Sequence, residues 1–226
     1  MSPTCRVDHL VVAARSLDQG VQWCEATLGV TPGAGGEHPL MGTHNRLLRL
    51  ATSDYPRAYL EIIAINSDAR QPARRRWFDL DDPALQHQVR HQPRLVHFVA
   101  STADAAAALK ALGRLGIDRG ALVAADRATA GGLLRWQISV RRDGQRLFYG
   151  GLPTLIQWQG AHPAEALPEA GLALQSLSVN HPRAADLRAA HAAIGLQGVT
   201  LAEGAPNLVA VLATPRGAVT IESAGT

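Results

Sequence analysis

Hydrophobic runs with one embedded histidine occur twice along the chain and follow a common pattern. The first run covers residues 7–13 (VDHLVVA), and the second covers residues 95–101 (LVHFVAS). Alternation along a strand places His9 and His97 at the same register of two similar strands. Each run precedes a segment with helical spacing, so the pattern predicts two copies of one βα unit that face a shared site.

The first unit is predicted to begin with a strand and a capped helix. Ser16 and Gln19 have the spacing of a capping box at a helix N-terminus, and Gly29 marks the helix end. Apolar runs with strand character then follow a glycine-rich connection. The connection spans residues 32–36, and the runs span residues 47–51 and 59–65.

The same pattern divides the chain into four parts. The parts are a first unit over residues 5–66, a linker over 67–92, a second unit over 93–163 and a shorter third unit over 170–226. The linker is rich in Pro, Arg and Asp, with one helical turn predicted around Trp77 to Leu80. The third unit lacks a histidine in its opening strand, so we expect it to cover the fold or to dimerise. The predicted fold class is α+β, with repeated βα-plus-strand modules and a third partial module.

Composition excludes several classes of protein. The chain has 226 residues, of which 46% are hydrophobic, and a net charge of +3. No apolar run is long enough for a membrane span, and no basic stripe interleaved with aromatic residues indicates nucleic-acid binding. The first six residues contain no apolar signal region, so a cytoplasmic protein is expected. No nucleotide-binding loop, nucleophile elbow or dinucleotide fingerprint is present.

Cysteine and arginine positions add two structural expectations. Cys5 and Cys24 are too few for a disulfide scaffold and are expected to be buried thiols. The basic triplet at residues 74–76 is expected to form a solvated loop face, with contact to an anionic ligand as the alternative.

Polar residues inside apolar strands indicate a metal site. His9, His97 and Glu61 share the inward register of their strands, and burial of an unpaired carboxylate costs several kcal/mol. A divalent cation bound by these side chains would remove that cost, and Gln157 is available as a fourth ligand through its amide oxygen. Nitrogen and oxygen ligands suit Zn, Ni, Co, Mn or Fe(II). For each histidine alone, a hydrogen-bonded core position is the alternative.

These residues and four further segments carry a resemblance to a known family. The further segments are residues 36–45 (GEHPLMGTHN), 59–63 (YLEII), 76–78 (RWF) and 156–163 (IQWQGAHP). Together with residues 7–13 they make the chain similar to bacterial glyoxalase-like domain proteins of the vicinal-oxygen-chelate superfamily. The resemblance implies paired βαβββ modules that curl around a cavity. It also implies a metal that binds two vicinal oxygens of a substrate and stabilises an enediolate or similar anion.

One departure from the resembled family bears on the chemistry. Glyoxalase I enzymes and related epimerases carry a carboxylate base on the last strand, where this chain is expected to have Gln157. Three alternatives follow: Glu61 transfers the proton, the chemistry differs, or the protein does not catalyse. The predicted function is thus a metal-dependent lyase or isomerase acting on a small molecule with vicinal oxygens. The alternatives are a non-catalytic small-molecule binding protein of the same fold and a ferrous ring-cleaving dioxygenase.

The segment at residues 38–45, just before the apolar run at residues 47–51, is the other candidate site element. His38, Thr43, His44 and Asn45 offer donors and acceptors close together, which suits binding of a substrate carboxylate or acid–base catalysis. The alternative is that Thr43 and Asn45 only satisfy backbone groups of a turn. A small-molecule substrate is the expected partner. A homodimer stays open, because paired modules complete a cavity within one chain or across two.

Overall fold

The computed structural model describes residues 3–129 and 132–225. Met1, Ser2, Ala130, Gly131 and Thr226 lie outside the described residues. The first two belong to the segment on which the expectation of a cytoplasmic protein rests. Within the described ranges, no helix combines the length and the apolar character needed to cross a membrane.

The first unit contains four strands and one helix. Its elements are β1 (Cys5–Ala13), α1 (Leu17–Leu28), β2 (Gly33–His38), β3 (Thr43–Arg49) and β4 (Tyr59–Ile65). The predicted ends of the helix are confirmed: the Ser16 hydroxyl accepts a hydrogen bond from the Gln19 N–H, and Gly29 has φ 77°. A left-handed residue at this position is favourable for glycine because it has no Cβ.

The glycine-rich connection is a strand, contrary to the sequence-based prediction. Residues 33–38 form β2 and pair with β3 in an antiparallel ladder. A Cβ at Gly35 would overlap the backbone carbonyl oxygen of Asn45, so this position needs glycine for close approach of the two strands. Glycine has low strand propensity, which is why the pattern of residues predicted a loop.

The linker also differs from the prediction. Its helix, α2, spans Pro83–His91, whereas Trp77 to Leu80 form a turn in which Phe78 and Asp79 have positive φ. Arg76 is buried and its guanidinium forms an ion pair with Asp81 at 2.6 Å, so the basic triplet is not wholly a solvated face. The turn places the Trp77 and Phe78 rings against each other, with centroids 5.3 Å apart.

The second unit repeats the order of the first. Its elements are β5 (Arg94–Thr102), α3 (Ala105–Gly113), β6 (Ala121–Thr129), β7 (Gly132–Val140) and β8 (Thr154–Trp158). In each unit the first strand pairs with the last in parallel, and β1 pairs with β5 antiparallel. In the described part of the chain, the strands of these two units form one sheet in the order β2-β3-β4-β1-β5-β8-β7-β6. This arrangement confirms repeated βαβββ modules.

The sheet curls until its two edge strands approach each other. Gly36 of β2 lies so close to the Arg127 side chain of β6 that a Cβ on the glycine would touch the arginine Cδ. One apolar cluster fills the inside of the curl, and a second lies between the outer face and helices α1 and α3. Cys5 and Cys24 are free, buried thiols, as predicted. The outer cluster thus supports the sheet, and the inner cluster leaves a small cavity inside the curl.

The C-terminal part of the chain covers the outer cluster. It contains α4 (Pro163–Ala166), β9 (Ala173–Asn180), α5 (Ala184–Ala193), β10 (Leu196–Gln197), β11 (Thr200–Ala202), β12 (Asn207–Thr214) and β13 (Gly217–Glu222). In the described chain, β11, β9, β12 and β13 form a separate sheet in that order, and β10 pairs with β1. Leu174, Leu177 and Leu208 pack into the outer cluster. The C-terminal part therefore supports the sheet from the side opposite to the curl.

Candidate active site

A small cavity inside the curl collects aromatic and ionisable side chains. Its volume is about 30 Å³, enough for about one water molecule. The protein has ten Phe, Trp and Tyr residues, and among the described residues five of these aromatic side chains line the cavity. These are Tyr59, Trp77, Phe78, Trp136 and Trp158, and the polar lining residues are His9, His38, Asn45, Glu61 and Arg127. Three of these polar residues, His9, Asn45 and Glu61, are buried, which strengthens their electrostatic interactions.

A β-bulge at the start of β1 brings two polar side chains to this site. The pairing with β5 shifts between Val7 and His9, so Asp8 is an extra residue in β1. A bulge re-aims a side chain that strict alternation would send to the opposite face. Asp8 and His9 consequently form a hydrogen bond, although a regular strand pattern predicts that they face opposite ways.

The Asp8 carboxylate fixes the orientation of the His9 ring. Its Oδ1 accepts a hydrogen bond from His9 Nδ1 at 2.7 Å, and its Oδ2 accepts from Trp158 Nε1 at 3.0 Å and His162 Nε2 at 3.1 Å. Burial raises the pKa of this carboxyl, but hydrogen bonds from His162 and His9 outweigh burial and hold it well below its usual value. An ionised Asp8 requires Nδ1 of His9 to carry a proton, so Nε2 is the atom left for chemistry.

Glu61 lies on the other side of the His9 ring. Its Oε2 is 3.7 Å from His9 Nε2, and its Oε1 accepts a hydrogen bond from Asn45 Nδ2 at 2.6 Å. The Tyr59 ring stacks on His9 with centroids 4.5 Å apart, and burial, followed by the charges of Asp8 and Glu61, raises the pKa of the Tyr59 phenol well above its usual value. The site therefore presents two proton acceptors side by side, next to a neutral phenol ring.

The predicted loop residues divide into two groups. His38 lines the cavity, its Nδ1 lies 3.1 Å from Thr43 Oγ1, and Asn45 holds Glu61. Burial, with the nearby charge of Arg127, lowers the pKa of His38 to about 3, so its ring is neutral at pH 7. His44 is half-buried and is not among the residues that line the cavity in the described structure.

His97 belongs to a separate buried cluster. Its Nδ1 donates to the Gly150 carbonyl oxygen at 3.1 Å, and its Nε2 accepts from the Thr154 backbone N–H at 3.0 Å. Arg119 Nη2 is 3.3 Å from the same Nε2 and also donates to the Thr154 hydroxyl. Burial, followed by the charges of Arg119 and Arg146, lowers the pKa of His97 well below its usual value. The ring is thus neutral, with its lone pair already engaged.

Strand pairing shows which residue of the second unit corresponds to Glu61 in the first. Glu61 pairs with Val11, two residues after His9, and Thr154 pairs with Val99, two residues after His97. Thr154 therefore occupies the corresponding position in the second unit. Gln157 lies elsewhere: its Oε1 accepts from the Ala105 N–H at the start of α3.

The predicted ligands do not fit one metal ion in this arrangement. His9 and Glu61 lie together, but His97 and Gln157 use their acceptor atoms for backbone N–H groups. Within residues 3–129 and 132–225, no three His, Cys, Asp or Glu side chains are grouped so that they could hold a metal. The metal expected from the sequence stays a prediction.

Several residues of the site were not predicted from the sequence. Asp8 and His162 both lie in segments that carry the family resemblance. Asp8 and His9 form a pair of polar residues in an apolar strand, and this pair is a sequence signal from which a role of Asp8 in the site could be predicted. Arg127, whose Nη1 lies 3.3 Å from Asn45 Oδ1, comes from the opposite edge of the sheet. No local signal identifies it, because only the curl of the sheet brings it to the cavity.

Comparisons with known proteins agree with this architecture. The sequence model of a family described as "Glyoxalase-like domain" matches residues 7–195. A hypothetical protein from Staphylococcus aureus has a similar fold, with a TM-score of 0.59 and 13% identity over 96% of this chain and 85% of that chain. No curated protein matches the chain.

Methylmalonyl-CoA epimerases are among the more distant structural neighbours. A variant of the Streptomyces coelicolor enzyme in complex with 2-nitronate-propionyl-CoA has a TM-score of 0.43 and 20% identity, covering 71% of this chain and 99% of its own. The enzyme from Mycobacterium tuberculosis has a TM-score of 0.38 and 15% identity, covering 71% and 91%.

Proposed function

The chain belongs to the glyoxalase-like domain family, and from the geometry of its cavity we propose that it is an isomerase or lyase that transfers a proton on a small molecule with vicinal oxygens. The observation that carries the proposal is the pair of acceptor atoms His9 Nε2 and Glu61 Oε2, which lie 3.7 Å apart on two buried side chains of the cavity. His9 and Glu61 line the same cavity, so both can reach one small molecule bound there. A proton shift between adjacent oxygen-bearing carbons uses one acceptor for the carbon-bound proton and another for the oxygen-bound proton.

The proposed reaction assigns one kind of proton to each group. Glu61 takes the proton from a carbon next to a carbonyl, and the released electron pair forms the carbon–carbon double bond of an enediol. His9 Nε2 takes the proton of the neighbouring hydroxyl and delivers it to the carbonyl oxygen, so the ring ends as it began. Glu61 then returns its proton to the adjacent carbon, so the product is an isomer of the substrate and no atom is gained or lost.

Neighbouring side chains keep the two groups in position for this exchange. Asn45 holds one oxygen of Glu61, which leaves the other oxygen directed at His9. Asp8 holds Nδ1 of His9 and stabilises the ring when Nε2 is protonated. A positioned acid–base pair contributes about 10²- to 10⁴-fold to a proton transfer.

Solvent deuterium exchange tests the proposal. The wild type is incubated in D₂O with 2-hydroxyaldehydes, thiol adducts of 2-oxoaldehydes and epimerisable acyl thioesters, and deuterium at carbon is followed by NMR. We expect exchange with at least one of these, slowed about 10²- to 10⁴-fold in Glu61→Gln, since glutamine preserves shape but takes no proton.

The C-terminal sheet offers a matched control for that variant. Glu222 accepts a hydrogen bond from Asn207 at 2.9 Å, as Glu61 does from Asn45, but Glu222 is exposed and remote from the cavity. Glu222→Gln should leave exchange unchanged. Equal exchange in Glu61→Gln and wild type would refute the assignment, and tight binding without exchange would favour the binding-protein alternative that the aromatic lining supports.

Metal content is measured on the same preparations. Elemental analysis compares the metal content of the untagged wild type with that of a His9→Ala variant. A metal present in the wild type and lost in the variant would indicate an ion bound at His9. The dioxygenase alternative depends on a ligand set of His9, Glu61 and His97. The hydrogen bonds of His97 give that set no support.

A further inference from the structure

A second, larger cavity adjoins the small cavity at His9 and Glu61, which we call the catalytic cavity. Its volume is about 310 Å³, and it shares with the catalytic cavity the side chains of His38, Trp77, Trp136 and Ile138. The rest of its wall comes from the turn between β2 and β3 and from β6, and it is mainly apolar. Leu40, Met41, Val123 and Ala125 are among these wall residues. We call this space the outer chamber.

The sizes of the two spaces bear on what can bind. The catalytic cavity holds about one water molecule, so it accommodates only the reacting atoms of a substrate. The remainder of any larger molecule must lie outside it. The shared wall makes the outer chamber the adjoining space. The rings of His38 and Trp77, with centroids 5.1 Å apart, line both spaces.

We propose that the natural ligand is amphipathic, with an oxygen-bearing head at His9 and Glu61 and an apolar tail in the outer chamber. The inference rests on the proposed function for the position of the head. The tail is assigned by the apolar wall alone. Leu40, 48% exposed at the edge of the chamber, would lose contact with water when a tail binds.

Charge at the outer chamber disfavours a phosphorylated tail. Among the described residues of its wall, the ones with a formal charge are Glu37 and Asp126, both acidic and both exposed. Two carboxylates repel phosphate groups, so a CoA thioester is disfavoured. The ligand class is therefore a free hydroxy- or oxo-acid, or an aldehyde adduct, with an alkyl or aryl tail.

A chain-length series on the wild type tests the tail. The probes are straight-chain 2-oxo acids from pyruvate to 2-oxodecanoate, and binding is followed by tryptophan fluorescence, since Trp77 and Trp136 border both spaces. Affinity should rise about fourfold per methylene until the chamber is full. Affinity independent of length, or no binding by any member, would overturn the proposal, as would tighter binding of octanoyl-CoA than of 2-oxooctanoate.

A variant that fills the chamber gives a second, independent readout. Ala125→Phe should weaken the long probes at least about tenfold and leave pyruvate unchanged, whereas Ala128→Phe, on the exposed side of the same strand and outside the chamber, should change neither. Equal weakening of long and short probes in Ala125→Phe would overturn the tail assignment. Deuterium exchange of short substrates is judged separately, so failure of the tail and failure of the proposed reaction are distinguishable.

Discussion

Replacement of Asp8 by asparagine should reverse the protonation pattern of the His9 ring. The aspartate accepts with both oxygens, from His9 on one side and from Trp158 and His162 on the other. Asparagine has one oxygen and one NH₂ group, so one side must then face a donor. The lower-energy orientation keeps the oxygen toward Trp158 and His162, because the opposite one leaves two buried N–H groups unpaired, at about 1–3 kcal/mol each.

In that orientation the asparagine NH₂ group faces His9. His9 must then accept at Nδ1 and carry its proton at Nε2, directed toward Glu61. Each charge-assisted hydrogen bond becomes a neutral one, a loss of about 1 kcal/mol per bond, and relief of the buried charge offsets part of this. We expect the free energy of unfolding to fall by about 1–3 kcal/mol.

The effect on chemistry should be larger than the effect on stability. A ring that carries its proton at Nε2 no longer accepts one there, so deuterium exchange should fall by about 10²- to 10⁴-fold. Nitrogen-15 NMR of the histidine rings distinguishes the two tautomers directly, and urea unfolding gives the stability. Asp54→Asn, an exposed aspartate, is the control. An unchanged His9 tautomer together with wild-type exchange would refute the positioning role of Asp8.

Three further substitutions test the packing and the buried histidines. Gly35→Ala should destabilise the protein and slow exchange, because its Cβ overlaps the backbone of Asn45. His191→Gln should flatten the fall in stability between pH 6.5 and about 4, by up to about 1.4 kcal/mol per pH unit, in urea titrations at several pH values. Arg119→Met should raise the pKa of His97 measured by NMR, since the arginine charge is the largest contribution to its lowering after burial.

The structure supplies a control for the glycine substitution and the direction of the pH effect for His191. Gly113→Ala is the matched change for the glycine, because no atom lies within 4 Å of the added carbon. Burial lowers the pKa of His191 to about 4, so the unfolded chain binds a proton first as the pH falls below 6.5. The stabilising contribution is present above that pH and is lost toward pH 4. A wild-type pH slope in His191→Gln, or an unshifted His97 in Arg119→Met, would contradict the assigned causes.

Much of the fold was predictable because it depends on local alternation and on helix signals. The strands that carry His9, Glu61 and His97 are apolar and β-branched, and the first helix has recognisable ends at Ser16 and Gly29. β2 was mistaken for a loop because glycine has low strand propensity. The need for glycine at position 35 arises from the backbone of Asn45 in the neighbouring strand, ten residues later in the sequence.

The sequence by itself determined that two similar units exist, that His9 and Glu61 share the inward register of their strands, and that His38 and Asn45 come from one short segment of the chain. The first point follows from the repeated pattern, and the second follows from period-two alternation within single strands. Tertiary structure alone decided which polar groups meet. A bulge in β1 turned Asp8 toward His9. Parallel pairing placed Thr154, and not Gln157, at the position of the second unit that corresponds to Glu61, and the curl of the sheet brought Arg127 across. Register and curvature depend on contacts between distant strands, and a single strand's pattern does not contain them.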